Sequence, residues 1–270
     1  MPVINMDKDD LARLCGPGFS LDRFADTVPF MGATVEKEEK NEIAVEFFAN
    51  RPDLFSVEGV ARSYRVFSPD LDGSVYGKER YSVTGSSGIL LSVGKGIAPI
   101  RPIIGGAYLE GVSIDEPTLV SIMNLQEKLH LTLGRKRRKV AIGIHDAAPL
   151  KPPFTYDAYS PDEIRFVPLG KDREWDLARI LSEHEKGLDY AWTLEGLRKY
   201  PVITDSTGQV LSFPPIINGE LTRLTENTRN LFLDLTGTSQ KAVDTACNII
   251  ACALADRGGK IQTVELKRKK

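Results

Sequence analysis

The sequence predicts an α+β fold, in which a small N-terminal α/β domain precedes a larger domain of mixed helices and strands. Short apolar runs typical of strands alternate irregularly with segments of helical periodicity. A stretch rich in Ser, Gly, Pro and Asp, residues 68–88, indicates an extended linker. We therefore place the two domains at residues 1–85, which include most of the linker, and 86–270.

Length and composition restrict the class of protein. With 270 residues, 41% of them hydrophobic, the chain suits one large domain or two smaller ones. A net charge of −2 excludes a generally basic nucleic-acid binder, so any RNA contact has to be local. The three cysteines form no CxxC pair, and neither a transmembrane run nor a signal-peptide pattern is present. We expect a soluble cytoplasmic protein without membrane contact.

The N-terminal domain should contain short helices and strands. Asp7 is a good N-cap for a first helix, which Gly16-Pro17-Gly18 ends. The other elements are a strand at Val3–Asn5, a helix at about 20–25, a strand at Ile43–Phe48, and a helix that carries Leu54, Val57, Val60, Ala61 and Tyr64.

The larger domain contains eight predicted strands and three predicted helices, without an internal repeat. The strands are Ile89–Val93, Ile103–Leu109, Val140–Ile144, Phe154–Tyr159, Val202–Thr204, Val210–Phe213, Leu231–Leu235 and Lys260–Glu265. The helices are Glu116–Leu133, Trp175–Glu183 and Ser239–Arg257, the last stopped by Gly258-Gly259.

Residues 212–238 combine a stiff extended run with a buried strand. Pro214 and Pro215 each fix φ and remove an amide donor, which rigidifies the run. The run ends at Asn218-Gly219, a turn signal. The apolar residues of Asn230–Leu233 then predict a strand that is largely buried.

Polar side chains follow that strand directly. The strand runs into Asp234, with Thr236 and Thr238 just beyond it. If these groups face Ser212 and Asn218 of the stiff run, the carboxylate and hydroxyls can recognise a polar ligand. The alternative is an ordinary strand followed by a helix N-cap, which Thr238 or the next serine would supply.

The predicted helix Glu116–Leu133 carries an amide on its apolar stripe. Gln126 falls between Ile122 and Leu129 at helical spacing, next to Glu127. A buried amide needs a hydrogen-bonding partner, because leaving it unpaired costs free energy. Either a ligand or a neighbouring strand would satisfy Gln126, and the sequence leaves both alternatives open.

The run Gly134–Lys139, GRKRRK, joins this helix to the strand Val140–Ile144. A basic cluster beside a cavity can hold a phosphate backbone, and a solvated loop is the alternative. The sequence contains neither a GxxxxGK[ST] or GxGxxG loop nor a GxSxG elbow. The histidines lack close Cys or His partners, so we expect no metal and no cofactor.

Several segments resemble the beta subunit of phenylalanyl-tRNA synthetase. EFFANRPDLFSVEGVARSYRVF, residues 46–67, resembles its N-terminal domain. NLQEKLHLTLGRKRRKVAIGIHD, SFPPIIN and LFLDLTGT resemble its tRNA-editing domain in the archaeal and eukaryotic form. Bacterial members carry an OB-fold insertion where this chain has the polar stretch 36–42, which favours the archaeal form. The resemblance spans essentially all of the chain.

The resemblance implies a domain that hydrolyses the ester of tyrosine mistakenly attached to tRNA(Phe). It implies tRNA(Phe) and the synthetase alpha subunit as partners. Because the family's remaining beta-subunit domains would lie beyond Lys270, we expect no aminoacylation from this fragment alone. A non-catalytic module for tRNA binding and subunit assembly is the alternative.

The resemblance also assigns roles to single residues. Recognition of the tyrosine hydroxyl would fall to Ser212, Asp234 and Thr236. The pocket for the ring would be shaped or supported by Ile203, Leu169 and Arg223. The ester and the terminal adenosine would be held, for attack by a positioned water, by Gln126, Glu127, Asn218 and Arg137. Contact with the tRNA would fall to Arg137 and Arg138.

Overall fold

The structure is a computed structural model that describes residues 2–71 and 81–269. Helices and strands are mixed in both ranges, which confirms the predicted α+β class. No helix in these two ranges is both long enough and apolar enough to cross a bilayer.

The helices are α1 (Lys8–Cys15), α2 (Leu21–Thr27), α3 (Val57–Phe67), α4 (Glu116–Leu131), α5 (Leu177–Glu183), α6 (Glu185–Tyr190) and α7 (Gln240–Asp256). The strands are β1 (Val3–Asp7), β2 (Ala33–Glu38), β3 (Glu42–Phe47), β4 (Gly85–Val93), β5 (Ile103–Glu110), β6 (Val140–Asp146), β7 (Phe154–Tyr159), β8 (Arg165–Phe166), β9 (Trp175–Asp176), β10 (Tyr200–Thr204), β11 (Val210–Phe213), β12 (Ile217–Asn218), β13 (Leu231–Gly237) and β14 (Lys260–Arg268).

The N-terminal part forms a three-stranded antiparallel sheet in the order β1-β3-β2. The sequence prediction missed β2, since it treated residues 36–42 only as a polar stretch. That polarity has a simple cause: the second half of β2 is exposed at the edge of the sheet, and the tight turn to β3 follows it.

Several side chains and one glycine are needed for the conformation of the segment that leads into α3. Arg51 pairs with both carboxylate oxygens of Asp53, at 2.9 and 2.7 Å, and Ser56 caps the helix by accepting from the amide of Gly59. A Cβ at Gly59 would lie 1.7 Å from the Asp53 carbonyl oxygen, so glycine is needed for this close approach. Leu54 belongs to the preceding 3-10 turn, and α3 therefore begins later than predicted.

Nine strands form the main sheet, in the order β12-β11-β10-β7-β4-β14-β5-β13-β6. Strand β4 is parallel to its neighbours β7 and β14, and the other pairs are antiparallel. Ser212 is in β11, the second strand from one end of the sheet, and Asp234 is in β13, the second strand from the other end. Their side chains are nevertheless only 2.9 Å apart. The sheet therefore curls until its two ends face each other.

Three groups of apolar side chains fill the space around this curled sheet. The interior is filled from β4, β5, β7, β10, β11 and β13, with Phe154 and Phe232 in edge-to-face contact at 4.7 Å. Helices α4 and α7 pack on the outer face of β5, β13 and β6, and this core is continuous with the N-terminal part. Helices α5 and α6 cover the outer face of β10 and β11.

The last part of the predicted linker is packed against the fold. Residues 72–80 of it lie outside the described residues. Beyond them, the Tyr81 hydroxyl donates to Asp256 at 2.6 Å, and β4 already begins at Gly85, which pairs with Gln262. The segment after Tyr81 is thus anchored to α7 and β14. The domain boundary at residues 85 and 86 stays a prediction.

Helix starts follow the predicted capping chemistry. Asp7 accepts from the amide of Asp10 at 2.8 Å, and Ser239 caps α7 in the same way. The prediction for Trp175 was wrong, because Trp175 pairs with Phe166 in a short strand and the helix starts only after the cap Asp176. The prediction also missed α6, which is only six residues long.

A buried ion network joins the N-terminal part to the main sheet layer. Arg257, after α7, donates to both oxygens of Asp10 at 2.7 and 2.6 Å and to Glu58 at 2.7 Å. All three side chains are almost fully buried. Burial alone would raise the pKa of Asp10, but hydrogen bonds from Arg257 and Arg13 reverse the shift and lower it.

Replacing Arg257 with Leu should lower the free energy of unfolding by about 3–5 kcal/mol, because two buried carboxylates lose their shared cation. Urea unfolding at neutral pH measures the change. The matched control Lys37→Leu breaks the exposed pair with Glu39, which solvent screens, and should leave the urea midpoint close to that of wild type. A loss at Arg257 no larger than that of the control would contradict the role of this network.

Candidate functional site

The two facing ends of the curled sheet enclose a cavity of about 500 Å³. Its walls are β6 and α4 on one side and the segment from β11 to β12 on the other. This volume is within the roughly 300–1,000 Å³ of small-molecule sites. The predicted site residues that line it are Gln126, Glu127, Arg137, Leu169, Ser212, Asn218 and Asp234.

Side chains from α4 and β12 satisfy the free edge of β6. Gln126 donates its amide to the Ile142 carbonyl at 2.7 Å, and the Ile142 amide donates to Nε2 of His130 at 2.8 Å. Asn218 donates a longer hydrogen bond, 3.4 Å, to the carbonyl of Ile144 on the same strand. Gln126 thus has the strand partner that one alternative required, and it also faces the cavity. An edge strand that could bind another chain is thereby closed.

A buried carboxylate, that of Asp234, lies with its hydrogen-bonding partners at the inner end of the cavity. Asp234 Oδ2 accepts from Ser212 Oγ at 2.9 Å and faces His145 Nε2 at 2.7 Å. The other ring nitrogen of His145 lies 2.8 Å from the hydroxyl of Thr222. Asp234 is in the middle of β13, which continues to Gly237, beyond the predicted end at Leu235. The carboxylate is buried because β13 lies between β5 and β6 and the facing end of the sheet covers it through Ser212.

His145 and Gly143 were not among the predicted site residues. They lie two apart on β6 and therefore point to the same face of the sheet, the one that carries Asp234. A Cβ at Gly143 would lie 2.3 Å from Asp234 Oδ2 and 2.5 Å from His145 Nε2. Strand alternation gives the shared face from the sequence, but the pairing of β6 with β13 is not visible there.

The basic run has an unusual backbone conformation. Arg135, Lys136 and Arg137 have φ values of 48°, 55° and 65°, in the left-handed region that non-glycine residues rarely adopt. Arg101, which the sequence prediction did not consider, holds this run by donating to the carbonyls of Arg137 at 2.9 Å and Arg138 at 3.2 Å. Burial lowers the pKa of Arg101 to about 10, so it remains a cation at neutral pH.

The side chain of Arg137 is buried within the cavity wall. Its guanidinium donates to the carbonyl of Ile216 at 2.7 Å and lies over the Tyr190 ring, 4.1 Å from the centroid. It also approaches Glu127 at 3.4 Å. Arg137 therefore connects the basic run to the stiff Pro214–Ile216 segment, and its guanidinium is not displayed to solvent like a phosphate-binding group. A direct tRNA contact by Arg137 stays a prediction.

Electrostatics fix the charge state of the cavity wall. Burial lowers the pKa of His130 to about 4, so the ring is neutral at pH 7. Its Nε2 accepts from an amide, which leaves the proton on Nδ1, 3.8 Å from Glu127. The His130 N–H and the Arg137 charge lower the pKa of Glu127 to about 2. Glu127 is therefore ionised at neutral pH and is a weak base.

Four predicted site residues lie outside the cavity lining. Thr236 is buried and accepts from Arg101 Nε at 2.9 Å, so its hydroxyl is already engaged. Ile203 packs in the interior of the curled sheet, opposite Ser212 in the neighbouring strand. Arg223 is exposed and pairs with Glu220 at 2.7 Å. The predicted ring-pocket and hydroxyl-binding roles of these three are not supported by direct contact with the cavity.

Arg138, the fourth of these residues, belongs to the basic run and has an exposed side chain. Only its backbone carbonyl takes part in the network described above, through Arg101 and Thr238. Its predicted contact with tRNA stays a prediction.

Comparison with known proteins defines the class first. The sequence model of the B3/4 domain matches residues 115–252, which contain α4, the basic run, β6 and nearly all of α7. These elements form one wall of the cavity and the outer layer of the sheet. The class defined by the fold and the site is thus a B3/4-domain protein.

Relatives of the whole chain define the particular family. The chain is 46% identical over 266 residues to the phenylalanine–tRNA ligase beta subunit of Methanococcoides burtonii, and 47% identical over 271 residues to that of Methanocaldococcus jannaschii. Each alignment covers 98% of this chain and 48% of the relative. The chain belongs to the phenylalanine–tRNA ligase beta-subunit family and spans about half the length of the curated relatives it matches.

A solved structure gives the same result. The N-terminal fragment of the phenylalanyl-tRNA synthetase beta subunit from Pyrococcus horikoshii superposes with a TM-score of 0.90 at 39% identity. The match covers 99% of this chain and 77% of the fragment. The resemblance predicted from the sequence motifs is therefore confirmed.

Replacing Arg137 with Met should raise the pKa of Glu127 from about 2, because the neighbouring positive charge is lost while His130 remains. Carboxyl carbon NMR over acid pH measures this. Since the folded-state pKa is lowered, ionised Glu127 favours folding above its unfolded pKa, and this contribution is lost as the pH falls toward 2. The exposed Arg173→Met variant is the control. A Glu127 titration that matches wild type in Arg137→Met would contradict this coupling.

Proposed function

We propose that the cavity is an editing site that hydrolyses the ester of tyrosine attached to tRNA(Phe). The observation that carries this proposal is the buried carboxylate of Asp234 at the inner end of a cavity of about 500 Å³. Membership of the phenylalanine–tRNA ligase beta-subunit family supplies the substrate class. We further propose that tRNA(Phe) and the synthetase alpha subunit are partners and that the activity is cytoplasmic.

Hydrogen bonding explains why tyrosine and phenylalanine would be separated here. A pocket shaped for phenylalanine rejects an added hydroxyl only about a hundredfold. A pocket in which Asp234 accepts a hydrogen bond from the tyrosine hydroxyl reverses this preference, because phenylalanine would leave the second carboxylate oxygen without the donor that tyrosine supplies. An unsatisfied buried polar group costs about 1–3 kcal/mol, and more when it is charged. Ser212, which also lines the cavity, adds a hydroxyl beside the same carboxylate.

Residues from both walls of the cavity supply the groups for ester cleavage. Gln126 and Asn218 each use one amide donor on β6, and a primary amide has two donors. The second donors can stabilise the developing oxyanion when water attacks the ester. Glu127, with its pKa near 2, is suited to orient a water by accepting its proton in a hydrogen bond, but not to remove that proton. The ribose hydroxyl of the terminal adenosine would assist the water.

The exposed part of the basic run would hold the tRNA. Arg135, Lys136 and Arg138 are exposed, whereas Arg137 is turned inward between them. Because the three consecutive left-handed residues are tied down by Arg101, the exposed cations are held beside the cavity rather than on a loose loop. Phosphate contacts of this kind position a nucleic acid without reading its sequence.

Replacing Asp234 with Ala should lower the preference for Tyr-tRNA(Phe) over Phe-tRNA(Phe) at least about tenfold, because the hydroxyl acceptor is lost. Single-turnover deacylation of both substrates at high protein concentration measures the ratio. Asp234→Asn preserves the volume, and Asp244→Ala on the exposed side of α7 is the control.

An unchanged ratio in a folded Asp234 variant would remove this residue from substrate recognition. If the wild-type chain binds tRNA(Phe) but hydrolyses neither ester, the non-catalytic module for tRNA binding and subunit assembly becomes the better interpretation.

Replacing Arg138 with Gln should weaken tRNA binding and reduce the slope of log K against log salt by about 1, since one phosphate contact is lost. Binding titrations at several salt concentrations measure the slope. Lys37→Gln, on the edge strand of the N-terminal sheet, is the matched control. A slope equal to that of wild type would leave the run as a solvated loop.

A further inference from the structure

We propose that His145 is the positioning residue for tyrosine selectivity: it holds Asp234 by one carboxylate oxygen, so that the other oxygen is presented to the hydroxyl of a bound phenol. The inference rests on the proposed function and adds a residue that does not itself touch the substrate. His145 is fully buried in β6 and does not line the cavity, whereas Asp234 does.

The short contact between the two side chains has a defined direction. Nε2 of His145 lies 2.7 Å from Oδ2 of Asp234. An ionised carboxylate has no proton to give, so Nε2 carries the proton and donates. The bond is charge-assisted and joins two side chains that are almost fully buried, which makes it stronger than a neutral hydrogen bond at the surface.

The far side of the ring is held as well. Nδ1 of His145 lies 2.8 Å from Oγ1 of Thr222, which in turn is 3.2 Å from the carbonyl of Gly219. Thr222 is 1% exposed, and the ring also packs against Phe232 with centroids 6.1 Å apart. Because both ring nitrogens are engaged, neither a ring flip nor a rotamer change is possible without breaking a buried hydrogen bond.

Rigidity separates His145 from the other partner of Asp234. The hydroxyl of Ser212 also donates to Oδ2, at 2.9 Å, but a hydroxyl proton can rotate to follow a moving acceptor. An imidazole N–H has one fixed direction. Two donors on the same oxygen leave the other oxygen, Oδ1, pointing away from them. The absence of a side chain at Gly143 leaves room for the contact between Oδ2 and His145 Nε2.

This arrangement makes the orientation of Asp234 depend on His145. Without the imidazole donor, the carboxylate can rotate, and Ser212 can follow it. The hydroxyl of a bound tyrosine then finds the Asp234 carboxylate in no fixed position, and its hydrogen bond is weaker. A bound phenylalanine is penalised less, because the mobile carboxylate can turn to another partner. The preference for tyrosine over phenylalanine should therefore fall even where the cavity and the residues proposed for ester cleavage remain intact.

A matched pair of amide variants tests the inference. The amide of His145→Gln can reach the place of Nε2 and donate to Asp234, whereas the shorter His145→Asn reaches only the place of Nδ1. The probes are adenosine 3′-amides of tyrosine and phenylalanine, which cannot be hydrolysed. Isothermal titration with the folded chain gives the ratio of the two dissociation constants for each protein.

We expect the tyrosyl preference of wild type to fall at least about tenfold in His145→Asn and by no more than about threefold in His145→Gln. Equal losses in the two variants, or no loss in His145→Asn, would overturn the inference while the proposed function stands. If His145→Asn does not fold, Thr222→Val should reduce the preference in the same direction, and an unchanged ratio there overturns the inference.

The wild-type measurement separates the two proposals. A wild-type protein that binds both amides without preference would overturn the proposed tyrosine editing, and the role of His145 with it. A wild-type preference for the tyrosyl amide, combined with the loss in His145→Asn and its recovery in His145→Gln, supports both.

Discussion

The structure depends on one constraint, which is that the carboxylate of Asp234 is buried and has to be hydrogen-bonded. A buried ion without partners is too costly to persist, and its donors come from the far end of the sheet and from β6. The contact between Ser212 and Asp234 therefore exists only while the nine-stranded sheet is curled. Curling of the sheet therefore also forms the inner end of the cavity, where the proposed recognition site lies.

The polar residues of the cavity wall have two tasks at once. Gln126 and His130 satisfy the free edge of β6, and Arg137 joins the basic run to the carbonyl of Ile216. Each bond stabilises the wall and at the same time orients a group toward the cavity. A structural hydrogen bond and a ligand contact were opposed alternatives for Gln126, but a primary amide has enough donors and acceptors for both.

Local chemistry accounts for the elements that the sequence predicted well. Asp7 and Ser239 cap helices where expected, α7 has its apolar face, and β13 is an apolar run. The same local rules missed α6 and β2, which are short and largely exposed, and placed Trp175 in a helix although it pairs in a strand. Such elements are stabilised by neighbours that are distant in sequence.

By itself, the sequence determined the class of fold through periodicity and caps, and it determined the family through contiguous motifs. The resemblance to that family then assigned seven of the residues that line the cavity. Only the tertiary structure decided which polar groups meet. It removed Thr236 and Ile203 from the lining, turned Arg137 inward, and brought His145 to Asp234, 89 positions away. Hydrogen bonds across a curled sheet depend on strand order and register, and no local pattern in the chain encodes either one.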